Sequence, residues 1–388
     1  MILKSKTKIL ITLLLILTGC TQIQEKQQSK IKECLPQIKI EDYKISLFAV
    51  GDTLIHDAVY YDAETKEIGS DGYPIYDFKP MFQEIEPLVK QHDLAFYNQE
   101  TIIGGKKLGL SNYPRFNSPD EIGLNMLEIG FNLVNLATNH VMDKDLEGLQ
   151  YSASFWEKQD AYTAGSYTSQ EKRDNIKIAE KNGITYAMLA YTYGTNGLPV
   201  PEGYEYLVNV WSVYGENSYE EYKEQVKKDI QAIRDKVDVL IVSMHWGNEY
   251  VYEPSWYQQD AAQFLADQGV DIIIGTHPHV IEPVEYIGNT LVIYSLGNFV
   301  SAQIEEDTKV GMMVSLDINK HVINGNKEIT IDNVKVDLTW TYHQGYRKFK
   351  VIPFYKLNDD LLYNYQNIYE KYKKIINPKQ DERIQVGF

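Results

Sequence analysis

The sequence predicts an α/β protein with covered sheets, followed by an antiparallel β region. Three observations carry this. Short, nearly continuous apolar runs read as strands buried on both faces. Amphipathic stretches of helical period stand between them. After Gly275 the long helical stretches give way to successive strand patterns.

The elements follow in order. "ISLFAV" (45–50) reads as the first strand, and "MFQEIEPLVKQH" as a helix interrupted at Pro87. "LAFYN" is a strand. "SPDEIGLNMLEIG" is a helix with Ser118 as N-cap, Pro119 in its first turn and Gly130 as its stop. "FNLVNLA" is a strand, "DKDLEGLQYSASFWEKQD" an amphipathic helix and "ITYAMLAYTY" a strand. "SYEEYKEQVKKDIQAIRDK" carries acids early and bases later, as a solvent-facing helix does. "VDVLIVSMHW" is a strand, "SWYQQDAAQFLADQG" a helix ending at Gly269 and "VDIIIGTH" a strand. "PVEYIGNTLVIYSLGNF" reads as a hairpin turned at Gly288-Asn289. "GMMVSLDI", "EITIDNVKVDLTW" and "KFKVIPF" are further strands, and the tail from Leu357 is one closing helix.

The N-terminus precedes the fold. Lys4, Lys6 and Lys8 are followed by an apolar run over 9–17, too short for a mature membrane span. It closes on Leu17-Thr18-Gly19-Cys20, which resembles a bacterial lipobox. Residues 1–19 are therefore expected to be a lipoprotein signal peptide and Cys20 the lipidated residue. The polar stretch 20–43 is expected to tether the chain to the outer, extracytoplasmic face of the cell membrane. With Cys20 lipidated, Cys34 is the one remaining thiol, so no intrachain disulfide forms. The formal net charge of −16 disfavours nucleic acid as a partner. An anionic substrate must be drawn by local charge, which a bound metal supplies. Most of the 30 tyrosines pack or face solvent, and a few are candidates to line a carbohydrate or peptide groove.

Five predicted strands end in metal-competent groups. They are Asp52 and His56; Asn98 and Glu100; Asn139, His140 and Asp143; His245 and Glu249; His277 and His279. Ligands of open α/β sheets bind beyond the carboxyl ends of the strands. Singly these residues say little, since an Asp after a strand commonly caps a turn and a lone His is commonly a core residue. "THPH" says more, because Pro278 stiffens the loop between two histidines. Five of the eight histidines lie at these ends, the others being His92, His321 and His343. No Ser occupies a Gly-x-Ser-x-Gly turn and Cys34 lies in the tether, which argues against serine or cysteine hydrolases. His with Asp, Glu and Asn suits zinc, manganese or iron.

"GDTLIH", "NQE", "LATNH" followed by Asp143, "MHWGNEY", "GTHPHVIEP" and "YSLGNF" occur in this order over residues 44–302. The ordered set resembles the bacterial capsule synthesis protein CapA/PgsA family of poly-gamma-glutamate synthesis, itself similar to calcineurin-like metallophosphoesterases. The resemblance implies a four-layer α/β/β/α sandwich with two mixed sheets. It places a metallophosphoesterase-like domain at 44–305 and a β-rich extension with a terminal helix at 306–388. Two divalent metal ions are implied, of manganese, zinc or iron. Asp52, His56 and His279 would hold the first and Asn139, His245 and His277 the second, with Glu100 bridging. His140 would be general acid or transition-state stabiliser, with Asp143 either its partner or a helix cap. The chain departs from ordinary metallophosphoesterases in the spacing of Asp52 and His56, in Glu100 for the bridging Asp, and in Thr138 for Gly. These departures put plain phosphatase activity in doubt.

Arg115, Asn117, Tyr193, Asn196, Trp246 and Glu249 are candidates for a substrate wall beside the ligands, and Asn298 for holding the ligand loop. The function expected is a lipid-anchored binuclear metal-dependent hydrolase of capsule synthesis, in which metal-activated hydroxide attacks and His140 is the acid. The alternative is an accessory protein that binds or guides an anionic cell-surface polymer such as poly-gamma-glutamate, without turnover. Membrane-embedded synthase components would be partners of either.

Overall fold

The computed structural model describes residues 39–213 and 219–388. The signal peptide, Cys20 and almost all of the tether lie outside them. Strands and helices alternate in the order β1 (Ile40–Thr53), α1 (Asp57–Ala63), β2 (Glu64–Ile68), β3 (Pro74–Tyr76), α2 (Glu86–Val89), β4 (Leu94–Asn98), α3 (Asp120–Ile129) and β5 (Leu133–Asn135). Next come α4 (Asp145–Glu157), β6 (Tyr162–Ala164), α5 (Gln170–Asp174), β7 (Ala179–Lys181), β8 (Ile184–Thr192), α6 (Tyr219–Ile233), β9 (Val239–His245), α7 (Trp256–Asp267) and β10 (Ile272–Thr276). The remainder is β11 (Val284–Ile287), β12 (Thr290–Ile293), β13 (Asn298–Val300), α8 (Glu306–Lys309), β14 (Val310–Ile323), β15 (Asn326–Gln344), β16 (Arg347–Pro353), α9 (Tyr365–Ile376) and β17 (Ile384–Val386).

Two sheets result. The larger runs β16-β15-β14-β1-β4-β5-β6, with β13 on β1 and β17 on β15. The smaller runs β11-β12-β10-β9-β8-β7. Both are mixed: β1, β4, β5 and β6 pair in parallel, as do β8, β9, β10 and β12, whereas β15–β16, β7–β8 and β11–β12 are antiparallel.

Side-chain alternation along each strand divides the core into layers. Leu47 and Ala49 of β1, Ile241 of β9 and Ile272 and Ile274 of β10 share one buried cluster between the sheets. Phe48 and Val50 face the other way, onto Phe82, Ile122, Met126 and Trp156. Leu240, Val242 and Ile273 face Val226 and Ile230 of α6 and Ala261 and Leu265 of α7. The order is helices, sheet, sheet, helices, so each inner strand is apolar on both faces.

The chain forms two compact units, 1–42 with 321–328 and 43–320 with 329–388. In the described part of the first, His321 Nδ1 lies 2.8 Å from Asp42 Oδ1 and the Lys39 N–H donates to Asn324 Oδ1. Among the described residues no helix is long and apolar enough to cross a membrane.

One sequence expectation changes. Ser118 is not the N-cap of α3: Pro119 holds that position, and the Ser118 hydroxyl lies 2.7 Å from Thr101 Oγ1. The C-terminal strands join the larger sheet. β14 lies beside β1, and β15 and β16 extend the same sheet.

Candidate metal centre

The parallel strands deliver their ends to one place. Asp52 pairs in register with Asn98 of β4, and His245 with Thr276 of β10 and Thr192 of β8. Residues just past these ends therefore meet. Close approach of backbone is needed for this: a Cβ on Gly51 would lie 1.8 Å from Gly297 O, and one on Gly275 1.9 Å from Tyr294 O.

Glu100 lies at the middle. It is fully buried, and neither carboxylate oxygen has a hydrogen-bond partner. His279 Nε2 is 3.6 Å and His245 Nε2 4.0 Å from its Oε1. Burial, then the adjacent Asp52 carboxylate, push the Glu100 carboxyl well above the usual range. A buried carboxylate with no hydrogen bond at either oxygen is suited to a cation.

Asp52 is oriented from two sides. Asn98 Nδ2 donates to Oδ1 at 2.7 Å and the His277 N–H to Oδ2 at 3.1 Å. Asn98 is held in turn by Asn135 Nδ2, which donates to its Oδ1 at 2.7 Å. This asparagine relay was missed as a support in the sequence; its signal is an Asn at the last position of each of two buried strands, β4 and β5.

The histidines divide by their partners. His245 Nε2 lies 2.9 Å from Asn139 Oδ1, while its Nδ1 lies 2.9 Å from Thr276 Oγ1. His279 Nδ1 lies 3.0 Å from Asn298 Oδ1, and the Asn298 amide donates to Gln303 Oε1 and Thr308 O. For His279 this partner fixes the ring and leaves Nε2 for a metal, whereas both His245 nitrogens have partners, Nε2 facing Asn139, the residue expected to share its metal. Burial holds His245 and His277 well below the ordinary imidazole range, hence neutral, the ligating form. For His279 burial is outweighed by Glu100 and Asp52, which raise it to about 9. The Nδ1 of His277 is buried without a partner. His277 and His279 adopt positive φ, 102° and 60°, where non-glycine residues are strained.

Three overlapping groups place their donor atoms within 4.8 Å of one another: Asp52, Glu100 and His279; Glu100, His245 and His277; Glu249, His277 and His279. Borderline-to-hard donors and an unpaired carboxylate fit a divalent ion such as zinc, manganese or iron. His56 is in none of these groups. Its Nδ1 accepts the Ala302 N–H and lies 3.2 Å from Leu54 O, and burial lowers it to about 4.

His140 stands beside this cluster. Its Nδ1 is 2.7 Å from Asp143 Oδ2, which also accepts the Phe116 N–H. Phe116 packs edge-on against the ring, with centroids 4.7 Å apart. Asp143 does not cap α4, whose N-cap is Lys144.

The substrate-wall candidates separate. Tyr193 lies over His277, with centroids 4.5 Å apart, and Asn196 Oδ1 accepts from Asn139 Nδ2. Both also line a cavity of about 1000 Å³ with Arg173 and Tyr206. Glu249 is exposed at the mouth. Trp246 is corrected: it is buried in the core against Tyr294, to whose carbonyl Nε1 donates. Asn117 is corrected as well, because its amide is spent on Gly104, Gly105 and Gly109 of its own loop. Arg115 pairs with Asp145 at 2.7 Å, a loop salt bridge.

The family model described as bacterial capsule synthesis protein PGA_cap matches residues 46–303. The chain is 28% identical over 303 residues to the PGA biosynthesis protein CapA of Bacillus subtilis (strain 168), covering 76% of this chain and 73% of that protein. It is 27% identical over 284 residues to the capsule biosynthesis protein CapA of Bacillus anthracis, covering 71% of this chain and 64% of that one, a little under two thirds of its length. An uncharacterized protein y4uA of Sinorhizobium fredii (strain NBRC 101917 / NGR234) is 22% identical over 318 residues, covering 66% and 65%.

Proposed function

This chain belongs to the bacterial capsule synthesis protein PGA_cap family, and from that premise we propose that it is a divalent-metal-dependent hydrolase serving capsule polymer synthesis at the outer face of the membrane. The observation that carries the reading is Glu100, buried among histidines with both oxygens unpaired. Asp52, Glu100, Asn139, His245, His277 and His279 would hold the metal. Bound there, it would supply Lewis acidity and an activated water toward a phosphoester or amide-like centre.

The chain's own groups do the rest. Asn98 and the His277 N–H hold Asp52 in one orientation. Asp143 accepts a hydrogen bond from His140 Nδ1–H, which turns Nε2 toward the centre as the nitrogen that would donate a proton to a leaving group. Tyr193 and Asn196 border both the histidines and the neighbouring cavity, so substrate lying in that cavity would extend to the centre. Buried walls exclude bulk water and strengthen each of these interactions. Cys20 would carry the lipid, and an anionic polymer of the poly-gamma-glutamate kind would be the material acted on.

The two Bacillus relatives are named for PGA and capsule biosynthesis, which also suits a second reading, in which the centre binds the growing polymer without turnover. Manganese-loaded protein assayed against phosphodiesters, phosphomonoesters, muropeptides and poly-gamma-glutamate separates the two. Hydrolysis of any of these that His140→Ala abolishes while retaining its metal supports the enzyme. Binding without turnover throughout supports the accessory role.

A further inference from the structure

We infer that Glu249 is a ligand of this metal centre, completing a two-histidine, one-carboxylate set with His277 and His279 on the solvent side. The inference rests on the reading above that the strand-end cluster holds divalent metal, and concerns a residue first placed on the substrate wall.

Four observations converge. The donor atoms of Glu249, His277 and His279 lie within 4.8 Å of one another. The loop carrying Glu249 is tied to the histidine turn, because the Tyr250 N–H donates to the carbonyl of Pro278 at 2.8 Å. That bond sets Glu249 against the turn from which both imidazoles project. Tyr250, His277 and His279 all hold positive φ, at 64°, 102° and 60°. Three strained non-glycine residues on two touching loops mark a place where conformation is held for a purpose beyond packing. Finally, His277 Nδ1 is buried with no hydrogen-bond partner, although the ring is only 3% exposed. A cation at these donors accounts for the orphaned nitrogen.

The same geometry bears on the first motif. His56 lies four positions beyond Asp52, its Nδ1 receives the Ala302 N–H, and it joins none of the donor groups. Glu249 supplies a donor next to His279 that His56 does not. Two imidazoles and a carboxylate on one side of an ion leave its other positions open to water or substrate. An exposed ligand at the mouth can also move aside when an anionic group enters. Ordinary rim carboxylates lack the buried histidine pair that faces this one.

The test is a Mn2+ titration of chelator-treated protein, followed by electron paramagnetic resonance of free Mn2+ and by the Mn2+-dependent rise in melting temperature. Wild-type protein, Glu249→Gln and His56→Gln are compared. Removing the ligand is expected to weaken Mn2+ binding by about ten-fold or more, with the metal-free melting temperature unchanged because Glu249 is exposed. The rise in melting temperature at fixed Mn2+ should shrink accordingly. A Glu249→Gln isotherm superimposable on wild type overturns the inference, and a loss confined to His56→Gln returns the position to His56. Wild-type protein that binds no Mn2+ overturns the parent reading instead.

Discussion

At the residue scale the centre is a problem of uncompensated charge. Asp52 and Glu100 are both fully buried and lie beside each other, and only His279 is raised toward a cation. Burying two carboxylates beside one imidazolium costs several kcal/mol per uncompensated ion (order of magnitude), a cost that a bound divalent ion would offset. His140 is different, because its Nδ1 is bonded to Asp143 and it joins none of the donor groups. Asp143→Ala removes the acceptor that orients Nδ1–H while leaving the donor cluster intact. Turnover is expected to fall by about 10²- to 10⁴-fold, with metal content unchanged; elemental analysis beside a rate measurement checks both.

At the scale of elements, strand register decides what meets. Gly275 lies one residue before the end of β10, where the backbone passes under Tyr294 O. Gly275→Ala should therefore displace the ligand turn and cost about 3 kcal/mol, seen as a lower urea midpoint. Asp93, just before β4, ties elements from both sheets. Its Oδ2 accepts from the Ser46 N–H and hydroxyl on β1, and its Oδ1 from Asn182 Nδ2 between β7 and β8. Burial opposes its charge, but these donors win and its pKa is lowered. A lowered carboxyl contributes stability that is present above the unfolded value, near 3.9, and is lost as pH falls through the folded value. Asp93→Ala should cost roughly 2 kcal/mol at neutral pH, and the difference from wild type should shrink as pH falls through the lowered folded value of Asp93. Melting curves from pH 2 to 7 test this.

For the whole molecule, the C-terminal strands are part of the core and not an appendage to it. Val314 and Leu316 of β14 and Val336 and Leu338 of β15 share the inter-sheet cluster with Leu47 and Ile241. A chain ending at Lys309 loses these residues and leaves β1 without its β14 neighbour, an unpaired edge prone to aggregation. Such a truncation is expected to be insoluble or to lack a cooperative melt by circular dichroism. Soluble protein with a wild-type melting temperature would show that 310–388 is dispensable to the fold.

Much of this was legible in the sequence. Helices of more than two turns announce themselves by period and by stops such as Gly130, whose φ is 121°, because those signals are local. Buried parallel strands announce themselves by apolar runs, and "THPH" by a proline between two histidines. Short edge strands such as β6, β7 and β17 carry too few residues to form a pattern. The α/β class, the polar strand ends and the family therefore came from the order of residues alone. The roles around the centre did not, because they depend on contacts between residues far apart in the chain. Trp246 and Tyr250 flank the same motif, yet one packs in the core and the other is exposed at the mouth. Asn98 and Asn135 read as ordinary strand ends until the pairing of β4 with β5 makes them a relay to Asp52. Glu249 joins a donor group and His56 joins none for the same reason. Which donors point at a common centre is set by register and loop closure, and those exist only once the two sheets are packed.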